Sequence, residues 1–291
     1  MPDNSPAYRI FSIVNHIFLL VISLLCVLPI IHILAVSLSG KSPAAANLVG
    51  LWPIDFTFDA YKKTFGNDNF LHALFVSAER TLLGTLIGMA LVFLAAYPLS
   101  KEQHTFRGRS VYAWYFIFTM LFSGGMVPGY ILITKLGLLN SIWALILPGA
   151  VNVWLMILML NFFRTVPKEL EEAAMIDGAS HYRILLSVFL PVSMPAVATL
   201  ALFTMVGHWN SWFDGMLYMT NHANYPLATL LQTIVQQDYT KLNVRPEELE
   251  NIAQRTVKSA QLFIGALPIL TVYPFLQKYF VKGIVLGSVK E

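Results

Sequence analysis

The chain has 291 residues, of which 56% are hydrophobic and only 12% charged, against roughly a quarter charged in average soluble domains. With a mean hydropathy of +0.63 and several charge-poor runs near or above the ~20 residues that cross a bilayer, the composition excludes an ordinary soluble protein. One cysteine excludes a disulfide framework and a cysteine metal cluster, and no nucleic-acid partner is expected.

Six spans are expected, approximately Ile10–Leu38, Leu71–Tyr97, Val111–Thr134, Ser141–Phe163, Val188–His208 and Ala260–Phe280, which makes the chain an all-α polytopic membrane protein. The first is longer than the ~7–15 apolar residues of a signal peptide, so it reads as an uncleaved span although Ala44-Ala45-Ala46 imitates a cleavage site. Its lone histidines, His16 and His32, read as structural rather than as metal ligands. From Ser39 to about Phe70 the chain leaves the membrane with Trp52-Pro53 and Phe56-Thr57-Phe58-Asp59-Ala60-Tyr61, an ordered aromatic cap.

In the second span Glu79-Arg80 reads as a charged pair at a membrane edge, and Lys101 to Arg109 forms a compact basic turn after it. Gly124-Gly125 with Pro128 predicts a break in the third span, tolerated only where neighbours satisfy the freed backbone. Asn152 and Asn161 in the fourth span, Ser193 and Thr199 in the fifth, and His208-Trp209-Asn210 at its end are the polar positions that could line a pathway. Interhelical hydrogen bonding is the plainer role for Asn152, Ser193 and Thr199. His208-Trp209-Asn210 suits sugar better, since an aromatic face stacks on a sugar ring and an amide bonds hydroxyls; an interfacial aromatic belt is the alternative.

A polar segment separates the fourth and fifth spans. Pro167 suits a helix start, Glu169, Glu171 and Glu172 favour a helix N-terminus, and Asp177-Gly178 ends the helix. Leu170, Ala173 and Ala174 fall on one face, a stripe that another protein could approach closely. Beyond Asn210 a second long external segment runs to about Ser259, with a charged stretch at Lys241 through Glu250. With the N-terminus inside, ten of the nineteen basic residues lie in the cytoplasmic segments, and the compact turn at Lys101 carries more weight than that count.

Glu172-Ala173-Ala174, three residues, Gly178, nine residues and then Val188-Phe189-Leu190-Pro191 resemble the EAA loop of type I ABC importer permeases, with Val188 where the family has isoleucine. The end of the chain, Ala266-Leu267-Pro268-Ile269 through Gly287-Ser288-Val289-Lys290-Glu291, resembles the smaller permease of maltose-type carbohydrate importers. Phe122-Ser123-Gly124-Gly125-Met126-Val127-Pro128-Gly129-Tyr130 and His208-Trp209-Asn210-Ser211-Trp212 are similar to the branch that includes importers of complex oligosaccharides, alginate oligosaccharides among them.

This resemblance implies a permease fold in the bacterial cytoplasmic (inner) membrane. It implies residues 1–70 as a first span and external loop, 71–283 as the core domain, and 284–291 as a tail. The segment 164–187 would couple to a cytoplasmic ATPase through Glu172, Ala173, Ala174, Asp177, Gly178 and Pro191, and Gly287, Ser288 and Lys290 of the tail would reach between two ATPase subunits. The implied partners are a second homologous permease, two ATP-binding cassette ATPases, an extracytoplasmic solute-binding protein, an oligosaccharide and membrane lipids. No cofactor is expected in this chain; ATP and Mg belong to the partner ATPases.

No Gly-x-x-x-x-Gly-Lys-Ser/Thr loop occurs in the sequence, nor His-Glu-x-x-His, nor Gly-x-Ser-x-Gly, so the chain is not expected to be an enzyme. The alternatives are a permease for another sugar or polar solute of the same superfamily, and an ion-gradient carrier. The carrier would be marked by midplane ionisable groups and internal repeats.

Overall fold

The computed structural model describes residues 6–240 and 255–288, and every regular element among them is helical. The charged stretch from Lys241 to Glu250 and the tail residue Lys290 lie outside the described residues. In chain order the helices are α1 (Pro6–Ser37), α2 (Lys41–Ala45), α3 (Asp59–Phe65), α4 (Asp68–Ser100), α5 (Arg109–Leu121), α6 (Met126–Lys135), α7 (Ile142–Ile146) and α8 (Val153–Phe163). There follow α9 (Lys168–Ile176), α10 (His181–Ile184), α11 (Leu190–Val192), α12 (Met194–Asn210), α13 (Phe213–Tyr218), α14 (Leu227–Thr240) and α15 (Arg255–Ser288).

Among the described residues three helices are long and apolar enough to cross a membrane alone, and three bent pairs bring the count of spans to as many as six. The bends have local causes. Between α5 and α6, which meet at 109°, Gly125 takes φ +88°, so the Gly124-Gly125 break expected from sequence is present. The turn leading into α8 bends by 51° and restarts at Asn152, whose Oδ1 accepts from Leu155 N at 3.1 Å. The fifth span is bent by 89° at Ser193, between Pro191 and Pro195 and just after a π-helical turn at Leu185–Phe189. Prolines and π turns are the usual sources of sharp kinks.

The chain divides into two compact units, Met1–Leu71 with Thr233–Leu267, and His72–Gln232 with Pro268–Glu291. In the first, α1 presents apolar side chains such as Phe11, Ile13, Phe18 and Leu25 outward, as a helix in lipid does. The aromatic cap is ordered: Phe56 and Phe58 meet edge-on at 5.1 Å, Ser37 Oγ bonds Tyr61 Oη at 2.8 Å, and Ser39 Oγ accepts from Ile54 N at 3.0 Å. His32 Nδ1 lies 2.8 Å from the Gly50 carbonyl, the structural role expected of it.

The second unit has its main core where α4, α8, the π turn and α12 meet. Met89, Val92, Ala96, Met156, Met159, Phe163, Leu185, Phe189 and Leu200 are buried there. A smaller cluster of Ile133, Ala144, Leu145, Tyr218 and Met219 joins α6, α7 and α13. Asn140, at φ +59°, ties the same region together: its Oδ1 accepts from Thr220 N at 2.7 Å and from Asn221 N at 3.1 Å.

Candidate functional site

The polar segment after the fourth span folds as the sequence suggests. Pro167 is extended and precedes α9, Glu169 and Glu171 occupy its first turn, and Gly178 ends it at φ +76°, with its N–H donating to Met175 O at 3.0 Å. Ser180 then caps α10, accepting from Arg183 N. Glu172, Ala173, Asp177 and Gly178 are exposed, and Ile176 is 87% exposed. The stripe expected at Leu170, Ala173 and Ala174 is divided: Leu170 and Ala173 stay exposed, while Ala174 packs against the core with Ala179. Small side chains there let the loop lie close on the span ends.

Glu171, next to the exposed Glu172, turns inward. Its Oε1 accepts from Lys101 Nζ at 2.5 Å and from the Tyr97 hydroxyl at 3.4 Å. The Lys101 ammonium also sits over the rings of Tyr97 and Phe189, 3.9 and 4.1 Å from their centroids. Burial pulls the Lys101 ammonium below the usual lysine range, and the Glu171 carboxylate opposes that pull. Lys168 pairs with Glu102 in the same turn. The α9 loop is therefore fastened to the end of α4. Lys101→Ala should cost about 2 kcal/mol, the scale of a charge-assisted hydrogen bond. The check is hydrogen exchange: amides of 168–176 should exchange faster than in the wild type.

A cavity of about 660 Å³ lies against α4, lined by Asn152, Trp154, Phe203, Thr204, His208 and Tyr218 among others. Arg80 opens onto it from α4. It is 2% exposed and pairs with Asp214 of α13. Its Nη1 also donates to the Ser211 carbonyl at 3.0 Å, and Asp214 Oδ1 accepts from Ser211 Oγ and Gly215 N, both at 2.9 Å. The carboxylate that Arg80 meets is therefore not the neighbouring Glu79 but one far along the chain.

The structure separates His208-Trp209-Asn210. His208 lines the cavity, with its ring against Gly84; Trp209 lines an apolar groove of about 190 Å³ with Leu82, Met205 and Pro268; Asn210 is exposed at the end of α12. Asn152 lines the cavity and caps its own helix through Leu155 N, a contact within α8 rather than between helices. Thr199 bonds the Pro195 carbonyl at 2.8 Å, a bond within α12 rather than the interhelical one weighed for it. Trp154 and Phe203, whose rings lie 6.0 Å apart, were missed in the sequence because apolar runs hide which aromatics face inward.

A Cβ on Gly84 would lie 2.6 Å from His208 Cε1, closer than any real contact. Gly84→Ala should therefore displace the imidazole and destabilise by about 1–3 kcal/mol. In a melting series, His208→Ala in the same chain should restore much of the loss; no restoration would mean that the two residues do not pack.

The profile of the binding-protein-dependent transport system inner membrane component family matches residues 5–285. The chain belongs to that family. This permease is 41% identical over 288 residues to protein LplC of Bacillus subtilis (strain 168), covering 99% of this chain and 97% of LplC. It is 40% identical over 288 residues to the polygalacturonan/rhamnogalacturonan transport system permease protein YtcP of the same organism, covering 97% and 99%. A chain in the crystal structure of a bacterial ABC transporter involved in the import of the acidic polysaccharide alginate superimposes with a TM-score of 0.84 at 32% identity, over 96% of this permease and 100% of that chain. The protein is thus a membrane-embedded carbohydrate-type permease of an ABC importer, a transport component rather than an enzyme. Membership implies a partner permease, ATPases and a solute-binding protein, and it removes the ion-gradient carrier from consideration.

Proposed function

We propose that this permease forms half of the pathway of an ATP-driven importer for oligosaccharides of an acidic polysaccharide such as alginate. The observation that carries the cargo is the 32% identity and TM-score of 0.84 with a chain of the alginate importer, sustained over 96% of the permease. The name of YtcP, which specifies polygalacturonan and rhamnogalacturonan, supports a cargo of the same kind. Within the transport core, 71–283, the cavity at Asn152 and His208 is the sugar contact, with the faces of Trp154 and Phe203 available for stacking. Trp209 and Asn210 contribute at the outer end.

The N-terminus lies in the cytoplasm in this reading, and so does the α9 loop. Glu172, Ala173, Ala174, Asp177 and Gly178 engage an ATPase, Pro191 sets the re-entry into the fifth span, and Gly287, Ser288 and Lys290 reach the ATPase pair. The partner ATPases bind ATP and Mg. Their closure draws the coupling loops of the two permeases together and opens the pathway outward, and hydrolysis resets it.

The test is reconstitution of the chain with its partner permease, ATPases and binding protein in liposomes. Uptake of alginate oligosaccharides should require ATP and survive collapse of the ion gradients. Uptake without ATPases would overturn the mechanism. Uptake of neutral maltodextrins but not of alginate or galacturonate oligosaccharides would overturn the cargo alone.

A further inference from the structure

After the ion pairs around the α9 loop are matched, two arginines are left over. The loop and the ends of α4, α5 and α8 enclose a cavity of about 660 Å³. In its lining Lys101 is held by Glu171, and Lys168 by Glu102, which also faces His104 at 3.2 Å. Arg109 donates through Nη1 to the Lys101 carbonyl at 2.9 Å, yet neither Arg109 nor Arg164 has a carboxylate within ion-pair distance among the described residues. Glu172 is the only other acid in the lining, so the cavity keeps an excess of positive charge. Partial burial and then the neighbouring Arg109 charge hold the Arg164 guanidinium below its ordinary range. Two guanidinium groups that repel each other at the edge of a cavity are relieved by an anion placed between them.

The cavity's position narrows the choice of anion. Ser100 closes α4, Arg109 opens α5 and Arg164 directly follows α8, so the pair stands at span ends, the depth of lipid headgroups. Tyr112, Trp114 and Tyr115 on the first turns of α5 are exposed beside it, the residue types that gather at that depth. Ile176 and Tyr182, exposed by 87% and 72%, lie outside the lining, whereas Glu172 and Met175 belong to it, so the cavity reaches from the span ends to the docking face of the loop. Guanidinium planes match the oxygens of a phosphate, and basic pockets between transmembrane helices are known to take lipid headgroups.

We propose that Arg109 and Arg164 bind the phosphodiester of an anionic phospholipid in the leaflet on the α9 side, which places a lipid against the coupling loop. Lipid composition thereby acts on the loop from the membrane side, independently of cargo.

The test uses the assembled importer in nanodiscs of phosphatidylcholine with or without phosphatidylglycerol. Native mass spectrometry reads retained phosphatidylglycerol, and the ATPase rate is measured in both lipids. The wild type should retain phosphatidylglycerol and change its rate with it. Arg164→Ala, at an exposed position that tolerates change, should retain about fivefold less and lose the response. Arg107→Ala, in the same basic turn but outside the cavity lining, should behave as the wild type. Equal retention by Arg164→Ala and the wild type would overturn the site. Inorganic phosphate reproducing the response in pure phosphatidylcholine would assign the anion to solution instead of lipid. Loss of ATPase subunits from Arg164→Ala with unchanged lipid retention would give the arginine to a partner carboxylate, again overturning the proposal.

Discussion

Asp214→Ala is expected to destabilise the permease by about 3–5 kcal/mol, because it leaves a buried guanidinium without its counter-charge. The Arg80 side chain is 3% exposed and that of Asp214 is 24% exposed, so the charge that would be stranded is the deeper one. Arg80 Nε already has no hydrogen-bond partner among the described residues. The acceptors that would remain, the carbonyls of Ser211 at 3.0 Å and Leu145 at 3.4 Å, are neutral. A folded domain is stable by only about 5–15 kcal/mol, so the loss should appear as reduced folded protein in the membrane fraction as well as a lower melting temperature. Asp214→Asn keeps an acceptor but not the charge and should fall between. Replacing both partners by leucine removes the stranded charge altogether and should recover much of the stability, since apolar replacement of a whole buried pair is often near neutral. Wild-type yield and melting in Asp214→Ala would show that the pair holds nothing together.

That pair also marks the boundary of what the sequence could reveal. The spans were legible because apolar runs of bilayer length are a property of consecutive residues, and the break in the third span was signalled by Gly124-Gly125 with Pro128, whereas the fifth span was read as continuous and its bend at Ser193, between Pro191 and Pro195, was not anticipated. The α9 loop was legible for a similar reason, since its start, its acids and its Gly178 terminus lie within a few residues of one another. Arg80 with Asp214, and Lys101 with Glu171, are 134 and 70 residues apart, and nothing in either neighbourhood names the other. Glu171 and Glu172 looked equivalent in sequence; a helix turns adjacent side chains by about 100°, and only the packing of α9 on α4 decides which of the two faces Lys101. The same rotation separates His208 from Trp209, one lining the polar cavity and the other an apolar groove.

Gly178→Pro should abolish transport while leaving cargo binding to the external binding protein intact. The physical argument begins with φ +76°, a conformation proline cannot adopt, since its ring fixes φ near −65°. Proline also deletes the N–H that donates to Met175 O at 3.0 Å and closes the end of α9. Alanine is the useful contrast: a Cβ at Gly178 would meet nothing within 4 Å, so Gly178→Ala carries only the backbone penalty of about 1–2 kcal/mol. It should therefore reduce uptake modestly where proline eliminates it. What makes this turn consequential in the proposed mechanism is the order of elements behind it. From Gly178 the chain passes through α10, the π turn and the 89° bend at Ser193 into α12, which carries His208 at the cavity. A force applied to α9 reaches the pathway by that route, and by the Lys101–Glu171 contact with α4, which carries Gly84 under the His208 ring. Uptake and ATP hydrolysis measured together separate the outcomes. A proline variant that hydrolyses ATP without moving cargo has lost transmission through the turn, whereas one that transports normally shows that the α9 loop is not the coupling element.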